Sequence, residues 1–253
     1  MSTPTPYPDV NTVLEHLLHE VQTLFGTQFV GLYLYGSLSS GDFNPASSDI
    51  DFVVVTTDPI PAELLPALET MHGRLASSGE KWAKKLEGSY MPQHALRRYD
   101  RDERFPQINE GHFFVAGHGN DWLIQRHILR EQGVVVAGPA IRPFIDPVSP
   151  NDLRYAVRGV LQEWWAPMLQ DASWLQRRDY QAFAVLTMCR ILYTLEWGEV
   201  ASKPVSAQWA MAAIEPQWTP LITRALAWPQ APQPDELAAT IAFIRYTHNQ
   251  SAP

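Results

Sequence analysis

The chain reads as an α+β protein, with a mixed sheet and flanking helices over residues 1–148 followed by an all-α helical bundle over 149–253. Three observations predict this. Short β-branched and aromatic runs at 28–35 and 49–55 lie among helical periodicities in the first part. Beyond Ser149 no strand is readable, and amphipathic stretches alternate with Pro- or Gly-containing breaks. Seven of the nine tryptophans also fall beyond Ser149, and strands followed by a run of helices indicate two domains.

Taken in order, residues 1–8 are rich in Pro, Ser and Thr and predict an extended tail. Asp9 is the expected N-cap of a helix to about residue 25, with Val10, Val13, Leu14, Leu17, Leu18 and Val21 at helical spacing and Gly26 as its stop. Residues 28–35 form a strand ended by Gly36-Ser37, and a loop of small residues leads through Ser48 to a second strand at 49–55. Leu64, Leu65, Leu68, Met71, His72 and Leu75 share one face of a helix at 61–77. A third strand is expected at 86–91, a helix at 121–132 and a short strand at 134–137. Residues 97–104 mix both charge signs and read as a solvated loop. Helices follow at 150–165, 179–197, 204–214, 216–227 and 235–249, with Pro229, Pro232 and Pro234 breaking the chain before the last.

Composition narrows the function classes. Nineteen Lys plus Arg against 27 Asp plus Glu leave a formal charge of −8, which disfavours binding to a nucleic-acid backbone. The single cysteine, Cys189, excludes an intramolecular disulfide and a Cys-based zinc site, and it suits a reducing, cytoplasmic setting. No apolar run is long enough to span a membrane, and the first residues lack the basic and apolar segments of a secretion signal. His112 and His118 lack a suitably spaced third ligand for zinc. No Gly-rich loop ending in Gly-Lys-Ser/Thr is present, which disfavours a P-loop kinase.

The informative segment is Gly36-Ser37 followed by Ser48-Asp49-Ile50-Asp51. Aspartates at i and i+2 of a strand point to one face, with Cα atoms about 7 Å apart. Charges that close need a cation between them, and Mg2+, which prefers hard oxygen ligands and shares them with phosphates, is the natural occupant. Gly36 and Ser37 end the preceding strand in a loop whose amides and hydroxyl can hold phosphate oxygens. The competing reading is a solvated pair of acids at a strand start.

This pattern resembles the signature of the nucleotidyltransferase superfamily whose prototype is DNA polymerase beta. That resemblance implies a third carboxylate from a neighbouring strand. Glu87 is the best candidate, ahead of Asp42, Glu80 and Glu110. Glu87 would be a metal ligand, the general base, or both.

In the helical half, Arg190 lies within an almost wholly apolar helix and needs an anion, either an internal acid such as Glu163 or Glu196 or a nucleotide phosphate. Lys203 precedes Pro204, the expected first residue of a helix, and a lysine at that positive end favours an anion site. The stretches around Arg190-Ile-Leu-Tyr193 and Ser202-Lys203…Trp209-Ala210 are similar to the helical domain of aminoglycoside adenylyltransferases that modify streptomycin and spectinomycin. Val136-Ala-Gly138-Pro139 and Asp146-Pro147-Val148 resemble that family's bridge between domains. The resemblance runs from about residue 28 to 228, in the family's order.

It implies Mg2+-dependent transfer of AMP from ATP to an acceptor hydroxyl, with pyrophosphate released. Asp49 and Asp51 would hold two Mg2+ ions, with Glu87 at the metals or as base. Gly36, Ser37, Ser48, Arg190 and Lys203 would hold ATP. The implied acceptor is a small, hydroxylated, cationic aminoglycoside, the implied role is antibiotic resistance, and a monomer is expected. One departure stands out: the family carries an aspartate and a histidine at the start of the central helix, where this chain has Tyr180 and Phe183, with Asp179 one residue early. A one-residue slip turns a helical side chain by about 100°. Trp122 and Trp174 are candidates for an aromatic wall against a sugar, or for packing. The departure keeps open a transferase acting on a different small-molecule or protein hydroxyl. A nucleotide-binding protein without turnover is the remaining alternative.

Overall fold

The computed structural model describes residues 3–229 and 234–251. The proline break expected at 229–234 therefore lies mostly outside the described residues. Two compact units, Met1–Pro147 and Val148–Pro253, make up the chain.

The first unit opens with α1 (Pro8–Phe25). Its N-cap is Tyr7 rather than Asp9: Pro8 takes the first helical position, where its missing N–H costs nothing, and Asp9 falls in the first turn. The stop is as expected, with Gly26 at φ 52°. There follow β1 (Phe29–Leu34), α2 (Ser37–Ser40), β2 (Ile50–Thr56), α3 (Leu65–Ala76), β3 (Leu86–Pro92), α4 (Gln93–Arg97), β4 (Arg104–Asn109), β5 (His112–Gly117), α5 (Asp121–Gln132) and β6 (Val134–Ala137).

The strands form one mixed sheet in the order β5-β4-β3-β2-β1-β6. Only β2 and β3 run parallel; the other neighbours are antiparallel. A parallel pair needs a crossover, and α3 supplies it. One sheet face is dry: Leu32, Leu34, Phe52 and Val54 pack with Val10, Leu14, Leu17 and Val21 of α1 and with Leu68 and Met71 of α3. Strand alternation therefore sends Asp51, between Ile50 and Phe52, to the opposite face.

The β4–β5 hairpin corrects the sequence reading, which placed no strand there. Pro106 interrupts the pattern in β4, and β5 is an edge strand with Phe114 40% and Val115 37% exposed, so neither shows a clean period of two. The segment before it is mostly exposed, as its mixed charges predict, and is tied down at three points. Arg97 and Arg98 each donate to Asp146 at 2.8 Å, and the Tyr99 hydroxyl donates to the carbonyl of buried His118 at 3.1 Å.

The second unit contains α6 (Pro150–Val160), α7 (Arg178–Trp197), α8 (Lys203–Ala213), α9 (Thr219–Leu226) and α10 (Leu237–Gln250). The expected single helix at 150–165 changes at Leu161 into a π-turn and then into a 3-10 turn at Ala166–Leu169, which contains Pro167. α6 starts at a full capping box, in which Ser149 and Asp152 satisfy each other's amides. α7 is central, and Ala184, Val185, Met188, Cys189, Ile191 and Leu192 are all buried. Arg154 caps its C-terminus, donating from Nε to the Leu195 carbonyl at 2.9 Å and from Nη2 to that of Glu196 at 3.0 Å. No helix among the described residues is long and apolar enough to cross a membrane.

Candidate functional site

Three neighbouring strands bring acids to one end of the sheet. In the parallel β2–β3 ladder Asp51 stands opposite Glu87 and Ile50 opposite Leu86, so Asp49 and Lys85 lie one step further out on the two strands. β4 runs antiparallel to β3 with Ile108 opposite Gly88, which returns the hairpin tip, Glu110-Gly111, to that same end. Carboxylate oxygens of Asp49, Glu87 and Glu110 lie within 4.8 Å of one another, the one group of metal-capable side chains this close among the described residues.

Asp51 is placed by the Gly36 loop. The Tyr35 N–H donates to the Asp51 carbonyl at 3.1 Å, and a Cβ on residue 36 would lie 2.0 Å from Asp51 Oδ2. Gly36 also has φ 64° with ψ −141°, a conformation open essentially to glycine alone. Both the backbone and the carboxylate thus exclude a side chain at this position. Ser37, half-buried, begins the single turn of α2. Ser48 serves the loop that delivers Asp49, because its Oγ accepts the Asn44 N–H at 2.9 Å.

Glu87 holds its proton more tightly than an ordinary carboxyl. Burial pushes the Glu87 carboxyl up to about 8, with Asp49, Asp51 and Glu110 adding to the rise and Lys85 opposing it. Burial, then Asp51, Asp121 and Glu87, push the Tyr35 phenol well above its ordinary value. Lys85 Nζ lies 3.1 Å from Asp49 Oδ1 and 3.2 Å from Glu110 Oε1. A set of oxygen donors at this spacing, with one acid raised by burial and then by its like-charged neighbours, fits a hard divalent cation such as Mg2+.

Of the other acids weighed from the sequence, Glu80 pairs with His16 at 2.5 Å and Asp42 is exposed. Glu110 is the one the fold brings to Asp49 and Glu87. It sits with Gly111 in a two-residue hairpin turn, whose flanking strands carry no pattern that would have marked it in the sequence. Lys85 carried no sequence signal beyond its position before a strand.

The remaining candidates are carried by other elements. Trp122 is a packed residue, 6% exposed, stacked on the His118 ring at 3.6 Å and 6.2 Å from Tyr35. In the helical unit, Arg190 is half-buried on α7 rather than enclosed. Lys203 is the first residue of α8, ahead of Pro204, with Ser202 as the N-cap; its Nζ lies 5.0 Å from the Phe183 ring. Asp179 pairs with Arg177, whose hydrogen bond holds its carboxyl below the usual range. The Tyr180 hydroxyl accepts from Trp164 Nε1 at 3.0 Å, and its ring lies 5.5 Å from Phe183, 5.9 Å from Trp165 and 5.9 Å from Trp174. Of these, Trp164, Trp174 and Phe183 are exposed.

Comparison with known proteins matches both units. Residues 14–95 match the family described as nucleotidyltransferase domain, and residues 144–247 match that described as aminoglycoside adenylyltransferase, C-terminal domain. An aminoglycoside (3'') (9) adenylyltransferase of Klebsiella pneumoniae is 30% identical over 227 residues, covering 85% of this chain and 84% of the relative. One from Escherichia coli is 29% identical over 257 residues, covering 96% and 95%. A spectinomycin 9-adenylyltransferase of Staphylococcus aureus is 24% identical, covering 80% and 78%. Among solved structures, the spectinomycin adenyltransferase AAD(9) from Enterococcus faecialis, crystallised with ATP and spectinomycin, superposes with a TM-score of 0.73 at 14% identity, over 95% of this chain and 98% of that one. At that identity the superposition speaks for the fold.

Proposed function

The chain belongs to the aminoglycoside adenylyltransferase family, and from that premise we propose that it transfers AMP from ATP to a hydroxyl of a streptomycin- or spectinomycin-like antibiotic. The observation that supports this most directly is the strand register setting Asp51 beside Glu87, with Asp49 one step before. In this reading Asp49, Asp51 and Glu87 hold Mg2+. A divalent cation bound there supplies charge neutralisation for the triphosphate and favours departure of pyrophosphate.

The chain's own groups do the rest. The acceptor oxygen attacks the α-phosphorus, the bond from that phosphorus to the pyrophosphate oxygen breaks, and the acceptor proton passes to a Glu87 carboxylate oxygen. Burial and the neighbouring acids raise this carboxyl to about 8 in the metal-free chain, so it would accept that proton only once ionised beside a bound cation. Gly36 and Ser37 present the loop amides and hydroxyl to phosphate oxygens, and Ser48 keeps Asp49 in place. Arg190 and Lys203 supply positive charge to the phosphates. The acidic overall balance suits a cationic acceptor.

One observation favours a second reading of the acceptor alone. Tyr180 and Phe183 stand where the resemblance implies an aspartate and a histidine, in a cluster with Trp164, Trp165 and Trp174. Such a surface suits the flat face of a sugar or an aromatic ring better than several ammonium groups hydrogen-bonded to carboxylates. The deciding experiment is ATP-dependent pyrophosphate release against a panel of aminoglycosides, spectinomycin and neutral hydroxylated compounds, with mass detection of a product heavier by AMP. Adduct formation on streptomycin or spectinomycin is the expected result. Turnover with neutral compounds alone would move the chain to the second reading.

A further inference from the structure

None of the steps above uses Lys85, yet its ammonium sits among the acids they need. Nζ lies 3.1 Å from Asp49 Oδ1 and 3.2 Å from Glu110 Oε1. The placement is dictated by backbone. Lys85 ends the turn Ala83–Lys85 and directly precedes β3, so the parallel register that sets Asp51 beside Glu87 brings Lys85 to Asp49. Glu110 arrives from the other side through a tight turn: Asn109 pairs with His112, and the two residues between them have φ 46° and 83°. Asparagine or aspartate usually leads such a turn, so a glutamate in left-handed backbone is an uncommon choice.

The electrostatics make the lysine more than a surface partner. Three carboxylates with oxygens within 4.8 Å of one another repel unless a cation lies among them. The Lys85 ammonium is that cation in the chain alone. A divalent ion held by Asp49 would face an ammonium on the same carboxylate, and the two cations repel strongly at that range. One therefore excludes the other.

We infer that Lys85 is a resident stand-in for the divalent cation: it neutralises Asp49 while no metal is bound and is displaced from that carboxylate when one binds. The inference rests on the reading of Asp49 as a metal ligand. Its consequence is that cation loading is a competition, set against an internal ion pair instead of against water alone. The same ion pair keeps the acids from springing apart between turnovers.

The test uses Mn2+ as the probe on the full nucleotide-free chain, with its affinity followed by electron paramagnetic resonance. Lys85→Met is expected to tighten Mn2+ binding about fivefold, the value of one partly exposed ion pair, while Lys85→Arg stays near wild type. Thermal melts supply an independent readout: Lys85→Met melts below wild type without metal and level with it at saturating Mn2+. Unchanged or weaker Mn2+ binding in Lys85→Met overturns the inference, as does a melting deficit that persists in Mn2+. Asp49→Asn separates this from failure of the underlying reading. If Asp49→Asn binds Mn2+ as wild type does, Asp49 is no ligand and both fall. If Asp49→Asn loses Mn2+ while Lys85→Met gains nothing, only the role of Lys85 falls.

Discussion

Gly36 and Gly198 share a positive φ, 64° and 67°, and they show how differently the two units are built. At Gly36 an added Cβ would strike Asp51 Oδ2 at 2.0 Å, the carboxylate of the candidate site. At Gly198 it would meet Pro150 Cβ at 2.6 Å and Arg154 Nη1 at 2.9 Å, the arginine that caps α7. One glycine makes room for a carboxylate and the other for helix packing. The difference extends to every candidate residue. In the sheet unit, backbone hydrogen bonds set the acids step for step across neighbouring strands, and a slip of one residue would turn each to the other face. In the helical unit, Tyr180, Arg190 and Lys203 are oriented by helix rotation and packing, which tolerate adjustment. Placement by register is stricter than placement by rotation.

That contrast can be broken experimentally. Asp51→Ala or Asp49→Ala should lower ATP-dependent pyrophosphate release by about 10³-fold or more, the scale for loss of an electrostatic group acting on the transferring phosphoryl, with circular dichroism unchanged. Near-wild-type turnover in either would remove the strand pair from the site. Gly36→Ala removes no polar side chain, yet by displacing Asp51, which an added Cβ would meet at 2.0 Å, and the loop amides beside it, it should lower kcat about 100-fold, the effect of a misplacement near 1 Å. A variant that keeps full turnover would show that Asp51 placement is not strict.

Next in size is a pH dependence. Glu87 has a folded-state value near 8, above its ordinary 4.5. The folded metal-free protein therefore keeps a proton that the unfolded chain has released between those values. Its stability should be greatest below about pH 4.5 as far as this group is concerned, and fall as pH rises through about 8. Urea unfolding of wild type and Glu87→Gln at pH 5 and pH 8, without divalent ions, measures this. The variant should lose less stability across the interval, and equal slopes would dismiss the raised carboxyl.

On the helical side, Arg190→Ala should raise KM for ATP about tenfold and Lys203→Ala less, consistent with single charge-assisted contacts. Steady-state kinetics over ATP concentration decides it, and unchanged KM in both would detach the helical unit from the nucleotide. Smallest for chemistry is Gly198→Ala. It should cost roughly 1–3 kcal/mol of stability for the strained backbone and leave kcat unaltered, as thermal melting and turnover together would reveal.

Much of the architecture was legible because its signals are local. The β-branched run at 50–56 between a Gly-Ser loop and a helical period marks β2 without any partner in view. Likewise the apolar circumference of α7 marks a central helix. The β4–β5 hairpin was not legible, since an edge strand with one wet face and an internal proline carries no such pattern. Trp122 shows another limit: an aromatic side chain beside a loop reads equally as a wall for a ligand or as core, and only its stacking on His118 decides for core.

The sequence by itself therefore determined the two-part α+β plan, the Gly-Ser loop and the Asp-x-Asp strand start, because helical and strand periods and the need of adjacent acids for a cation act over a few residues. The family resemblance already pointed to Glu87 as a third acid; how it reaches those aspartates, and which other charges join them, was decided by tertiary structure. Glu87 comes from 36 positions beyond Asp51 through a parallel pairing, and Lys85 and Glu110 meet Asp49 only once that pairing and the hairpin beside it have formed. The physical reason is that hydrogen bonds between strands, which no local pattern encodes, fix which side chains share one end of the sheet.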